Sequence, residues 1–266
     1  MQPDDGSLRT DVPHSARVYD ALLGGKDNFA VDRATAEKMT QILPGLRTTA
    51  LANRQFMVRV ARHLTVERGI RQFLDVGTGL PTSPNLHQVV QAVDPASRIV
   101  YVDNDPLVLV HARALLTSTP EGRTGYVDAD LRDVEAIFRA PEFTLDTSEP
   151  IAVTLIAVLH FIEEDDLVQD ILARLMKPLC SGSVLALSMT TTETDPDNAP
   201  AAFAEARKRG IPNVPRTKAV IERMFDGLDL LPPGVVPVHR WRPDDQSAGK
   251  VDDRNIHVYG GVAVKP

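Results

Sequence analysis

Asp75, Gly77, Gly79 and Asp103 are the residues of this chain whose types and spacing point most directly to a ligand. The run Gln72-Phe73-Leu74-Asp75-Val76-Gly77-Thr78-Gly79-Leu80-Pro81 is apolar up to an acid and then carries two closely spaced glycines. That composition puts a tight turn at the carboxyl edge of a strand, where backbone can approach a ligand with no side chain between them. A second apolar run ends in Tyr101-Val102-Asp103-Asn104-Asp105-Pro106, and Asp103 follows Gly77 by 26 residues. This is near the roughly 20-residue separation of loop and ribose-binding acid in one β-α-β unit. A carboxylate so placed can accept both hydroxyls of a ribose as charge-assisted hydrogen bonds, with Asn104 beside the base.

The remaining question is which nucleoside. A dinucleotide loop needs a third glycine where this chain has Thr82, and an acid two residues before the first glycine would repel a pyrophosphate but attract a cation. S-adenosylmethionine carries an ammonium and a sulfonium and no phosphate. Asp75-Val76-Gly77-Thr78-Gly79 with Asp103 therefore resembles the first two motifs of class I S-adenosylmethionine-dependent methyltransferases. On this reading Asp75 meets the methionine ammonium, directly or through water, and Gly77 and Gly79 leave room for the ligand. Two other classes stay open: a non-catalytic sensor of S-adenosylmethionine or its product S-adenosylhomocysteine, and an NAD-linked oxidoreductase.

Further candidates follow from the later strands. Similar methyltransferases use a carboxylate after the third strand for the adenine amino group and the next backbone N–H for a ring nitrogen, which implies Asp130 and Leu131 here, with Asp128 as the rival acid. Ala157 and Val158 end the fourth strand against the methionine part. His160 follows at the lip of the site, where an imidazole could deprotonate an acceptor near neutral pH; the alternative is a histidine that merely bonds a neighbouring loop. Tyr19, Gly24, Gly25, Asn28 and Phe29 suit a lid whose glycines allow an unusual turn and whose aromatics shield a sulfonium, with Tyr19 a second catalytic candidate.

The elements that must position these residues are legible from periodicity. Met57, Val60, Ala61 and Leu64 form one stripe of an amphipathic helix within residues 51–64. Strands are expected at 71–76, 99–102, 125–127, 151–159 and 183–188. Between them lie helices, two announced by cap-then-proline pairs at Ser83-Pro84 and Asp105-Pro106, and one over 165–176. Alternation of this kind implies a parallel doubly wound sheet. After the fifth strand comes a polar loop, 190–200, short helices near 201–209 and 218–225, and two valine-rich runs, 234–241 and 256–264, expected to pair antiparallel. The fold class is thus α/β: a Rossmann-like sheet of seven strands, mostly parallel, with an antiparallel terminal hairpin and an N-terminal helical segment.

Composition narrows the partners. The chain has 266 residues, 43% of them hydrophobic, enough for one large domain. A net charge of −7 and a pI near 5.5 argue against a nucleic-acid substrate. One cysteine, Cys180, excludes a disulfide framework, and no His/Glu spacing suggests a metal site. A polar opening, Met1-Gln-Pro-Asp-Asp, and the lack of a run of about 20 apolar residues predict a cytoplasmic protein that does not enter membranes; a monomer or homodimer is the expected state.

The run Ala16-Arg17-Val18-Tyr19-Asp20-Ala21-Leu22-Leu23-Gly24-Gly25-Lys26-Asp27-Asn28-Phe29 is specific. Together with Asp75 to Thr82, Val102 to Pro106, Val158-Leu-His160-Phe161 and Tyr259 to Pro266, it resembles an actinobacterial S-adenosyl methyltransferase family first described as a domain of unknown function. The resemblance implies a methyltransferase domain over 48–266, with 190–233 on the acceptor side, and a lid segment, 1–47, folded over the site. It implies S-adenosylmethionine as methyl donor but names no acceptor; the lid and the acidic chain point instead to a small molecule, methylated on O or N.

Overall fold

In the computed structural model the described residues are 10–115, 117–244 and 249–266, without the side chains of 113–115. The polar opening of the chain, the first nine residues of the expected lid and part of the linker 242–253 lie outside them. Three helices precede the sheet: α1 (Ser15–Leu23), α2 (Ala30–Ile42) and α3 (Leu46–Glu67). The boundary expected after residue 47 thus falls in the first turn of α3.

Five parallel strands follow, β1 (Gln72–Val76), β2 (Arg98–Asp103), β3 (Arg123–Asp128), β4 (Ile151–Ile156) and β5 (Val184–Thr190). Between them run α4 (Leu86–Gln91), α5 (Pro106–Leu115), α6 (Val134–Arg139) and α7 (Asp165–Met176). The last part holds α8 (Ala199–Lys208), α9 (Lys218–Arg223), β6 (Asp229–Leu230), β7 (Val236–Pro237) and β8 (Val258–Val264). Sheet order is β3-β2-β1-β4-β5-β8-β6, with β7 also on β8.

The apolar strands alternate sides, as the two-residue pleat requires. Leu74, Val100, Val102, Val153 and Leu155 join a core under α6 and α7, while Phe73, Ile99, Tyr101 and Ala152 join one under α3 and α4 that also holds Trp241. A third apolar cluster lies apart from the sheet: Val18, Leu22, Met39 and Leu46 pack on Phe203, Ala206 and Ile211, which sets α2 against α8.

Three details depart from the expectations. The cap of α4 is Asn85, whose N–H donates to Gln88 Oε1 at 2.7 Å, rather than Ser83, because Asn85 and Gln88 form a reciprocal capping box that a Ser-Pro pair cannot. β4 stops at Ile156, not residue 159. Ala157 turns left-handed at φ 57°, and Leu159–Phe161 coil into a buried 3₁₀ turn, which apolarity alone cannot distinguish from strand. The terminal hairpin shrinks to Val236–Pro237 against Gly260 and Tyr259. Pro237 offers no N–H to extend the ladder. The main partner of β8 is β5, antiparallel from Val184 opposite Val264 to Thr190 opposite Val258, and the extra pair β6 makes eight strands where seven were expected.

Candidate active site

A cavity of about 440 Å³ lies along the carboxyl edge of the sheet, roofed by α1, α3 and α8. Sheet order becomes the order of the site. Asp130 and Leu131 line it after β3, Asp103 and Asn104 after β2, Asp75 and the glycine loop at β1, Ala157, Val158 and His160 after β4, Thr190 at the end of β5, and His257 and Val258 at the start of β8.

The glycine loop is held by the acid expected to bind ribose. Gly79 N–H donates to Asp103 Oδ2 at 2.8 Å and Asp105 N–H to Oδ1 at 3.0 Å. Each oxygen keeps a lone pair for a ligand hydroxyl. Burial raises the Asp103 carboxyl above its ordinary value, and the Gly79 and Asp105 N–H groups oppose that shift. The two glycines divide the work assigned to both: a side chain at Gly77 would strike Val158, while Gly79, at φ 67°, faces open space. Both glycines line the cavity.

Asp75 accepts a 2.5 Å hydrogen bond from Thr154 Oγ1. Burial pushes its pKa up to about 6, against the opposing pulls of Thr154 and the Arg54 guanidinium. Thr78 closes the loop by donating to the Asp75 carbonyl at 3.1 Å. Between the rival acids after β3, Asp130 lines the cavity and binds Asn104 Nδ2 at 3.3 Å and Arg132, while Asp128 is exposed outside it.

His160 is 5% exposed, and its Nδ1 is buried without a hydrogen-bond partner among the described residues. Burial first, and the charge of Arg216 second, drop its pKa to about 3. It is therefore neutral at physiological pH and a weak base, and its side chain bonds no neighbouring loop. The Tyr19 hydroxyl is engaged twice, donating to the Ala50 carbonyl at 3.1 Å and accepting from Asn53 Nδ2 at 3.0 Å, and burial raises its pKa further. Asn53 Oδ1 in turn accepts from Ser188 Oγ at 2.7 Å, and Ser188 Oγ accepts from the N–H of Ala157 at 3.0 Å. One buried polar chain thus runs from β4 through β5 and α3 to α1.

Four of the expected residues do not line the cavity. Gly24 is the left-handed cap of α1, and Gly25 has no side chain because one would strike the Asp20 carboxylate. Asn28 Nδ2 donates to that carboxylate at 2.7 Å. Phe29 caps α2, its N–H on Asp32 at 2.9 Å, its ring 5.2 Å from the Arg17 guanidinium. Arg17 is itself paired to Asp32 at 2.9 Å. The amino-terminal signature therefore mostly folds the α1–α2 hairpin, leaving residues such as Val18 and Tyr19 to face the cavity.

Sequence reasoning missed Arg54, Asn53, Asn213 and His257, all of which line the cavity. Arg54 donates to the carbonyls of Thr82 and Pro84, the latter at 2.7 Å, while its Nε is buried with no partner among the described residues. The signal was available for α3: extending its apolar stripe back one turn from Met57 lands on Asn53 and Arg54, polar residues on the inward face. Asn213 and His257 sit in irregular segments with no such periodicity.

A carboxylate at a tight glycine loop, a second acid after β2 and a third after β3 thus line one cavity at the carboxyl edge of a doubly wound sheet. The comparisons make the class specific: the model of the S-adenosyl methyltransferase family matches residues 1–266, and the chain belongs to that family. It is similar to a DUF574 family protein from Streptomyces avermitilis, 48% identical with a TM-score of 0.95, covering 98% of this chain and 100% of that one. A Thermobifida fusca protein proposed to be a methyltransferase is 38% identical with a TM-score of 0.88, covering 100% and 99%. Human N-acetylserotonin methyltransferase, solved with S-adenosylmethionine, shares the fold at 14% identity and a TM-score of 0.50, over 97% of this chain and 64% of that one. No curated protein matches this chain in sequence. The protein is a S-adenosylmethionine-dependent methyltransferase. No helix among the described residues is long and apolar enough to cross a membrane.

Proposed function

We propose that the enzyme methylates an oxygen or nitrogen of a small molecule held between the sheet edge and a lid made of α1 and α2. The observation that carries this reading is that Asp75 and Arg54 line one cavity, the Asp75 carboxyl raised to about 6 by burial and the Arg54 Nε buried with no partner among the described residues. A buried carboxylate raised to about 6 calls for a cation, and a buried guanidinium with a free Nε calls for an anion. The ammonium and carboxylate of a methionine group supply both. Asp103 takes the ribose hydroxyls, and Asp130 with the Leu131 N–H takes the adenine edge.

When bound, S-adenosylmethionine supplies an electrophilic methyl on a sulfonium. The residues around it then orient the acceptor in line and exclude water, which together can remove a large part of the barrier. Tyr19, fixed at both its donor and acceptor positions, serves as a wall and as the tie between α1 and α3. His160, kept neutral, accepts or donates one hydrogen bond to the acceptor and does not hold its proton.

Calorimetric titration with S-adenosylmethionine, S-adenosylhomocysteine and NAD tests the donor site. Micromolar binding of both adenosyl ligands with none of NAD is expected. Binding of NAD alone would overturn it.

A further inference from the structure

The cavity changes character along its length. Over β3, β2 and β1 it is lined by Asp130, Arg132, Asp103, Asp75 and Arg54, with His14 at the rim. Over β4, β5 and β8 the polar lining includes His160, Thr190, Asn213 and His257. Burial lowers the pKa of both histidines, so all four are uncharged at neutral pH. The one carboxylate on the α1 wall, Asp20, is occupied by Asn28 Nδ2 and the Asp27 N–H. The rest of this half is hydrocarbon and ring: Met39, Leu46, Phe161, Phe203 and Ile211. An anionic acceptor would lose its hydration there with no counter-charge to replace it, and a cationic one would meet only Asp20, whose Oδ2 is already taken by two N–H donors; a neutral apolar molecule avoids that cost.

A wholly apolar ligand would also fit badly. His160 is buried, lines the cavity and makes no side-chain hydrogen bond among the described residues, which is costly unless something in the functional state pairs it. Asn213 commits its Oδ1 to Thr190 Oγ1 at 2.9 Å, which turns its amide N–H groups to other partners. His160 and Asn213 are held together as well, because Val214 N–H donates to the His160 carbonyl at 2.8 Å. Arg216 fixes the same turn from behind, through Asp165 at 2.6 Å and the Ile162 carbonyl at 2.9 Å.

From this juxtaposition we infer that the half of the cavity beneath α1, α2 and α8 is the acceptor subsite. It takes an uncharged molecule with a flat apolar body and one hydroxyl, which hydrogen-bonds the imidazole of His160. This deepens the reading of the protein as a small-molecule methyltransferase and rests on it. The phenyl rings of Phe161 and Phe203 and the aliphatic walls set the shape; His160 sets which end of the acceptor points at the sheet edge.

The test uses the full chain saturated with S-adenosylhomocysteine and three bicyclic probes: 2-naphthol, 2-naphthoate and 2-naphthylmethylammonium, titrated by calorimetry. 2-Naphthol should bind at least about tenfold more tightly than either charged probe. His160→Leu should weaken 2-naphthol about tenfold, the scale of one lost hydrogen bond to a buried group, and His160→Gln should restore part of that. S-adenosylhomocysteine binding, measured on the same variants, should change less than about threefold, which also shows that they fold. Equal or tighter binding of a charged probe, no probe binding to a protein that does bind S-adenosylhomocysteine, or unchanged 2-naphthol affinity in His160→Leu would each overturn the subsite. Failure of S-adenosylhomocysteine itself to bind would instead remove the methyltransferase reading on which the subsite rests.

Discussion

The two halves of the cavity are built by opposite means. The half over β1, β2 and β3 is made of strand ends that follow one another at short, regular spacing, and its chemistry is charge. The half over β4, β5 and β8 is assembled from α1, α8, the 3₁₀ turn and the start of β8, segments far apart in sequence, and its chemistry is hydrocarbon with a few neutral hydrogen-bonding groups. What the difference teaches is a division between what every member of such a fold must hold, a common donor, and what each must choose for itself.

The largest expected effect comes from the residue that ties α1 and β5, both in the neutral half, to α3. Asn53→Leu leaves Tyr19 and Ser188 buried without their shared partner and should cost about 2–4 kcal/mol of stability, read as a lower denaturant midpoint. An unchanged midpoint would mean that this polar chain does not hold the neutral half together. Asp103→Ala, confined to the charged half, should weaken S-adenosylhomocysteine about 100-fold, the scale of two charge-assisted hydrogen bonds. It should leave any 2-naphthol binding less affected than His160→Leu does, and the reverse order would erase the distinction between the halves.

Acidity separates the halves in sign. Asp75 has its carboxyl raised to about 6, so between roughly pH 4 and 6 the native state binds the extra proton and stability falls as pH rises. His160, lowered to about 3, stays neutral while an unfolded imidazole gains a proton, so stability is lost as pH falls below about 6.5. The two slopes, each about 1.4 kcal/mol per pH unit, oppose one another across pH 4–6. Relative to wild type, Asp75→Asn should therefore make stability climb more steeply with pH in that window, and His160→Phe should tilt it the other way. Thermal unfolding of the three proteins from pH 4 to 7 decides it; parallel curves would refute both assignments.

The smallest effect concerns the rim. His14 Nδ1 lies 3.0 Å from Asp105 Oδ2 but is 40% exposed, so His14→Ala should change adenosyl-ligand affinity less than about threefold. A larger loss, measured by the same calorimetry, would give α1 a direct part in holding the donor.

The sequence was most readable where function depends on contiguous residues. The glycine loop, Asp103 and Asp130 stand within or just after strands whose apolar runs mark their ends, and α7 was placed at its observed bounds. Reading failed where contact depends on the path of the chain through space. The glycines and Asn28 of the amino-terminal signature look suited to a ligand, yet they serve Asp20 and the α1–α2 turn. His160 was recognisable as a histidine after β4, but not its proton affinity, which is set by burial and, to a smaller degree, by Arg216 from 56 residues away. Asn213 and His257 carry no local pattern at all.

The crowding of acids around the glycine loop bears on how a turnover ends. Methyl transfer converts a sulfonium to a thioether, so the ligand leaves the reaction with one positive charge fewer than it brought. Asp75 and Asp103 both sit in a buried setting that raises their carboxyl groups, and each is an electrostatic creditor of that charge. With the donor held as proposed, their attraction would be strongest for the incoming molecule and would slacken once the methyl has gone, giving the spent molecule a reason to depart before the next one arrives.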